Sequence, residues 1–477
     1  MSLSRYYKYI FNSFLSYLPS RLLVIFNALL IIPFFAHILT KKEMGMYNLC
    51  VGLLTLTCTM TSDWIAKAAL RFYEKYKFQE RLDEFYSNIF IISIVSYIII
   101  GLVYFVFSDL IVQKLYISKH LLFLTLLIIF PAGLRQFLYQ MLRVFNKPFL
   151  YTVSIILYQA ALLLLFLFVS DFIPKTEALL IAMASSIVLV DVFILKKIRL
   201  MIRMKFKWNA ELLIESLKYS MPTIVTNVCL WSMLNLNKYI FQYNKDFLST
   251  AVTSVVALFA SATITQIVST FSFAMFPVIV QKYEKHDGDI KEFVTKTAQL
   301  YIILFIPIIG IFLYYSDIVS RIIFAGSYND AKYFLPFFVT ALFIHELMKL
   351  VNIKYHLSNK TYVEMSITLL TGLISFIINL ILINSYGLIG AGFAVLSSFL
   401  ICAVMNLSYR IKEVDSINFY KFFKTLAIAF FIGFITLIII NMAIKPDITN
   451  VRTLFRMPFF LLLSYYITWI FRDRILK

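Results

Sequence analysis

Apolar residues run in stretches of twenty or more along nearly the whole chain, interrupted by short clusters of charged residues, proline or glycine. A helix that spans a bilayer needs about 20 such residues. Grouping the runs between their breaks predicts segments at 10–39, 44–69, 85–108, 121–142, 150–170, 178–198, 212–241, 248–281, 294–316, 331–357, 362–384, 387–409, 419–441 and 453–471. The pattern reads as an all-α, polytopic membrane protein of about 14 transmembrane helices.

Composition agrees. The 477 residues are 61% hydrophobic and 14% charged, whereas a water-facing globular surface requires about a quarter of residues charged. Fourteen spans would use roughly 280 residues, which leaves no room for a sizeable soluble domain. Glycine (12) and proline (11) are too few for a flexible linker or a low-complexity stretch. Cys50, Cys58, Cys229 and Cys402 all fall in apolar segments without a C-x-x-C pair, so they predict neither a metal site nor a disulfide framework. Arg5 and Lys8 precede an apolar run that continues past twenty residues without a small-residue cleavage site, which predicts a retained first helix.

The net charge of +19 could suggest nucleic acid, but its placement argues for cytoplasmic loops instead. Lys and Arg accumulate in the short loops on the cytoplasmic side. With the amino terminus inside, inner connections, Lys354 among them, hold 27 basic residues, and outer ones, Lys238 and Lys245 among them, hold 11. Both termini are therefore predicted cytoplasmic. The most basic stretch, Lys196 to Lys207, follows the sixth segment. It predicts a six-helix lobe at 1–199, a linker at 200–211, a second six-helix lobe at 212–411, and helices 13 and 14 within 412–477. Six being even, both lobes start on the same side, as in a parallel repeat. Pro19 and Pro222, near the cytoplasmic ends of segments one and seven, fit that repeat.

Charges within spans are the most informative residues, because each costs at least a few kcal/mol at mid-bilayer and normally faces a cavity. Arg21, Lys67, Arg135 and Lys349 lie at depth, with Arg71 and Lys218 nearer the cytoplasmic ends. The acids are fewer: Asp63, Glu346, and Asp191 near a segment end. Asp63 with Lys67 and Glu346 with Lys349 have helical pairing spacing, so one reading is self-neutralised pairs that help helices pack. Arg21 and Arg135 have no acid within four residues, so each needs a partner on another helix, a snorkelling route or an anionic ligand. A cavity lined by Arg and Lys binds phosphates, whose oxygens match the guanidinium fork. His345, beside Glu346, is either a structural hydrogen-bonding residue or a member of that site. Asp287-Gly288-Asp289 spells a metal-binding D-x-D, but the loop around it is too short for a nucleotide domain. Without a P-loop, H-E-x-x-H or G-x-S-x-G, the chain reads as a transporter rather than an enzyme.

Several runs resemble bacterial polysaccharide flippases of the multidrug, oligosaccharidyl-lipid and polysaccharide exporter superfamily. They are Ile32 to Leu39, Glu43-Met44-Gly45-Met46-Tyr47, Ala69-Leu70-Arg71-Phe72-Tyr73, Tyr219-Ser220-Met221-Pro222, Trp231 to Tyr239, Phe276-Pro277 with Tyr283-Glu284, and Asn359-Lys360 with Asn379 and Tyr386 to Ala391. Asn237-Lys238 stands where many members have Asp-Arg, and Asp63-Trp64 where Gly-Leu is common. The resemblance implies two rocking lobes that carry a polyprenyl-pyrophosphate-linked oligosaccharide to the outer leaflet of the plasma membrane, without cofactor or nucleic acid. Membrane lipids, a polysaccharide polymerase and glycosyltransferases are the implied partners. Arg21, Lys67, Arg71, Arg135, Lys218 and Lys349 would meet the pyrophosphate, with Asp63, His345 and Glu346 available for coupling or pairing. Rival readings are a peptidoglycan lipid-precursor flippase, an exporter of organic cations, which would want an unpaired acid in its cavity, and a scaffold of glycan assembly.

Overall fold

A computed structural model describes residues 29–65, 76–145, 147–198, 209–284, 290–324, 328–358, 360–411, 421 and 423–429, with isolated positions 24, 25, 73 and 432. The protein is an all-α, multi-pass membrane protein. Its helices are α1 (Leu29–Ile38), α2 (Lys41–Asp63), α3 (Leu82–Val106), α4 (Ser108–Leu115), α5 (Lys119–Val144), α6 (Pro148–Val169), α7 (Lys175–Ile198), α8 (Ala210–Tyr243), α9 (Phe247–Glu284), α10 (Ile290–Tyr314), α11 (Ser316–Ile323), α12 (Ala331–Leu357) and α13 (Thr361–Ser408). Nine helices are long and apolar enough to cross a membrane among the described residues. The thirteenth expected span is described only at 421, 423–429 and 432, and the fourteenth, like Pro19 and the D-x-D loop, lies outside the described residues.

Local chemistry sets the breaks. Thr40 and Glu43 form a reciprocal capping box that starts α2. Pro148 opens α6 at a position where its missing N–H is no loss. Tyr116 ends α4 in the left-handed region, at φ 51°. Asn244 to Asp246 turn α8 into α9, with Lys245 at φ 63° and the Asp246 carboxylate accepting the Ser249 N–H at 3.0 Å. α13 has 48 residues, about 72 Å at the helical rise, more than twice a bilayer core. Gly387 divides it with φ 56° and ψ −131°, backbone open essentially only to glycine. At Gly390 an added Cβ would strike the Leu382 carbonyl, so the two glycines together make the break between the segments expected at 362–384 and 387–409.

The chain gathers into two compact units, residues 34–255 and residues 256–477 with 1–33. In unit 34–255 a core of Trp64, Phe85, Tyr86, Leu138, Met141, Val190 and Ile194 joins α3, α5 and α7 at the end of α2. α3 is the peripheral member, with Ile98, Ile99, Leu102, Phe105 and Val106 exposed, as a lipid-facing surface requires. In the other unit α12 is central. Phe334, Phe338, Leu342, Leu347 and Val351 are buried, and Phe343 and Phe337 meet Tyr301 of α10 and Phe393 of α13 at ring distances of 5.3 and 4.5 Å. Lys354, counted above with the inner connections, is instead buried within α12. Its ammonium donates to the Asn406 carbonyl at 2.6 Å and to that of Tyr409, where the end of α13 leaves carbonyls unpaired.

Candidate functional site

Within unit 34–255, α2 carries Thr55, Thr57, Thr59, Thr61, Ser62 and Asp63 within nine positions. Thr57, Thr59 and Thr61 each donate at 2.8 Å to the carbonyl four residues back. Such bonds compete with the helical ladder, and over Thr59–Asp63 the helix widens to a π turn, a feature frequent at functional sites. The turn is held from outside. Thr57 bonds Tyr104 of α3 at 2.8 Å, Ser62 bonds Tyr97 of α3 at 2.6 Å, and Gln136 of α5 donates to Asp63.

One residue before Gln136, and so on a different face of α5, stands Arg135. Its guanidinium carbon lies 4.2 Å from the centre of the Tyr158 ring on α6, a cation–π stack. Tyr139 of α5 and Asp191 of α7 lie within electrostatic range. Asp191 is buried, with neither carboxylate oxygen hydrogen-bonded, and forms no ion pair with Arg135. The cross-helix partner of Arg135 is thus chiefly Tyr158, through its ring face and a side-chain hydrogen bond, which leaves others of the five guanidinium N–H groups to meet an anion.

Sequence reasoning placed Lys238 in an outer connection; the structure places it in α8. Hydropathy grouping had its position inside segment seven, and the Asn237-Lys238 departure was the signal that could have flagged it. Lys238 is 6% exposed, donating to Asn235 Oδ1 at 2.9 Å and to the Asn48 carbonyl of α2 at 3.5 Å, with its ammonium 5.5 Å from the Tyr239 ring. A Cβ on Gly52 would meet both the Lys238 ammonium and the Tyr239 hydroxyl, so the bare glycine is what admits the lysine between α2 and α8. No acid pairs with it among the described residues.

In unit 256–477, Lys349 pairs with Glu346 one turn earlier, the acid buried and the lysine exposed. His345 lies against the Phe399 ring at 5.3 Å between centres. Arg21, Lys67 and Arg71 lie outside the described residues. Lys218 is on α8, its side chain also outside them. Unit 34–255 therefore holds Arg135 and Asp63, the acid Asp191 that the sequence set near a segment end, and, unforeseen, Lys238. The other unit assembles Lys349, Glu346 and His345. Among the described residues no three His, Cys, Asp or Glu side chains could hold a metal ion.

No family model matches the chain. A probable low-salt glycan biosynthesis flippase, Agl15 of Haloferax volcanii, is 24% identical over 251 residues, which is 51% of this chain and 51% of that protein. The chain thus spans about half the length of this curated relative. Among solved structures, the lipid II flippase MurJ in an inward closed conformation superposes with TM-score 0.73, 17% identity and coverage of 97% of this chain and 99% of that one. The eukaryotic MATE transporter AtDTX14 superposes at 0.58 with 14% identity, covering 84% and 94%. An inward-facing MATE transporter of the MOP superfamily superposes at 0.57 with 13% identity, covering 85% and 93%. The structural likenesses show that the chain has the fold these solved structures share.

Proposed function

We propose that this fold moves a polyprenyl-pyrophosphate-linked oligosaccharide across the plasma membrane for cell-surface polysaccharide assembly. The physical problem is the head group. Each sugar hydroxyl taken into hydrocarbon without a partner costs about 2–7 kcal/mol, so a short glycan alone faces tens of kcal/mol. An aqueous cleft between lobes 1–199 and 212–411 removes that term while the polyprenyl tail stays in lipid. Rocking of the lobes alternates the side to which the cleft opens. With the cell interior negative, outward movement of each head-group charge is downhill by about 2.3 kcal/mol per 100 mV.

The single observation that carries the reading is Arg135, a guanidinium within a spanning helix that stacks on Tyr158 and forms no ion pair among the described residues. A pyrophosphate supplies the missing anion in bidentate geometry. Arg21, Lys67, Arg71, Lys218 and Lys349 complete the basic lining. The relative's glycan-flippase name fits the same chemistry, and the MurJ likeness favours a second substrate, a peptidoglycan lipid precursor, that carries the same lipid pyrophosphate. An exporter of organic cations is less well served, because the buried Glu346 is already paired with Lys349 and the other buried acid among the described residues, Asp191, has no ion pair but lies within electrostatic range of the Arg135 guanidinium, which repels a cation.

The test is reconstitution of the full chain in proteoliposomes with fluorescent lipid-linked glycans added to one leaflet. Transfer of a lipid-linked oligosaccharide to the other leaflet, well above protein-free vesicles and above transfer of an organic cation, is the expected result. Transfer of the cation with no movement of any lipid pyrophosphate overturns the reading.

A further inference from the structure

Asn227, Trp231 and Asn235 lie four residues apart on α8, so they share one face. Trp231 sits twelve residues before the end of α8 at Tyr243, about 18 Å along the axis. That is too deep for the interfacial belt where membrane tryptophans usually reside. The ring is half-buried and held by two neighbours. Its Nε1–H donates to Thr55 Oγ1 of α2 at 3.0 Å, and its centre is 5.6 Å from that of Tyr239. Because Thr55 takes the indole N–H, the apolar face is what remains to offer a ligand. The amides on either side are not alike. Asn235 is engaged, its Nδ2 donating to the Trp231 carbonyl at 2.9 Å and its Oδ1 accepting from Lys238. The Nδ2 of Asn227 is buried with no acceptor, although an unmatched buried donor costs about 1–3 kcal/mol. Thr55 is exposed. An indole face flanked by a spare amide donor and a hydroxyl is a poor surface to set against lipid.

We propose that Trp231 is the stacking platform of a sugar subsite, which takes one pyranose ring of the transported glycan with Asn227 and Thr55 as its polar flank. A pyranose is hydroxylated around its rim and carries C–H groups on its faces. Those hydrogens are weakly positive and pack on the negative face of an aromatic ring, while one rim hydroxyl accepts from the Asn227 amide and another donates to Thr55 Oγ1, whose own hydrogen goes to the Gly52 carbonyl at 2.9 Å. A few oriented polar groups around an aromatic wall are the usual make-up of a small-molecule site. The subsite rests on the glycan-flippase reading and adds to it where the sugar, rather than the phosphate, is held.

The test has two readouts on the full chain in lipid nanodiscs or proteoliposomes. Saturation-transfer NMR with the soluble trisaccharide of β-1,4-linked N-acetylglucosamine should show transfer to ring C–H protons in the wild type. Transfer should be lost in Trp231→Leu and largely kept in Trp231→Phe, which retains a ring face and loses only the bond to Thr55. In the transport assay, Trp231→Leu should slow a trisaccharide-bearing lipid pyrophosphate about tenfold and leave the sugar-free lipid pyrophosphate at the wild-type rate. No saturation transfer to the wild type overturns the subsite. So does a Trp231→Leu chain that moves both lipids like the wild type, or that loses both equally, since the latter marks a structural role. Sugar contact at Trp231 without transport of any lipid-linked glycan leaves the subsite standing and removes the flippase reading.

Discussion

Arg135 is the residue on which the proposed chemistry turns, and charge can be separated from shape there. Arg135→Lys keeps the charge but loses the planar stack on Tyr158 and the fork; Arg135→Gln keeps polarity and much of the length. In the reconstituted assay the Gln variant should insert at normal levels and fall to near background, with the Lys variant intermediate. Wild-type transport in Arg135→Gln would remove the anion site. Lys349 is the harder case because Glu346 neutralises it. Lys349→Met leaves a buried acid uncompensated, which is strongly destabilising. If pairing is the lysine's whole role, adding Glu346→Gln restores transport; if the lysine meets substrate, the double variant stays inactive, and comparing the two rates decides. Arg135 also shows where sequence reasoning stopped. That it lacks an acid on its own helix is legible from spacing; that its partner is the Tyr158 side chain is not, because contacts between helices leave no periodic trace. Lys238 was hidden for another reason. Counting a lysine near a segment end as part of a loop is usually sound, and only Gly52 on a different helix, bare enough to admit its ammonium, makes it wrong here.

At the scale of elements, the long spans were legible because each must supply about twenty apolar residues, and glycine marked the break inside α13. The short helices α4 and α11, each of 8 residues, lie at segment ends, where hydropathy no longer separates a helix from a loop. The π turn at Thr59–Asp63 was equally invisible, since it follows from hydroxyl back-bonding and from outside partners on α3 and α5. The break in α13 allows strain and clash to be compared. At Gly387 a Cβ would meet nothing within 4 Å, so Gly387→Ala tests backbone strain alone, about 1–3 kcal/mol. At Gly390 the added carbon meets the Leu382 carbonyl. Both variants should lower the midpoint of thermal unfolding in detergent, while Gly101→Ala, in open space on α3, should not. A Gly387→Ala midpoint equal to wild type would show that the bend does not need glycine.

For the whole molecule, the sidedness of the bundle decides which way any substrate moves, and it rests on the excess of basic residues in alternate loops. α7 is well placed to test it. Its 24 residues span about 36 Å, enough to carry its two ends to opposite faces. Asp171 just before it and Lys197 in its last turn are both exposed. Lys175 is a poorer probe, because its ammonium donates to the Ile38 carbonyl at 3.0 Å and a cysteine there would uncap α1. With the four native cysteines replaced by alanine, Asp171→Cys in intact cells should react with a membrane-impermeant maleimide. Lys197→Cys should react only after the membrane is opened. Both termini then lie in the cytoplasm, and the basic stretch from Lys196 to Lys207 faces the compartment where lipid-linked glycans are loaded. The inverse labelling pattern would put that stretch outside and would require the transported head group to enter from the other face.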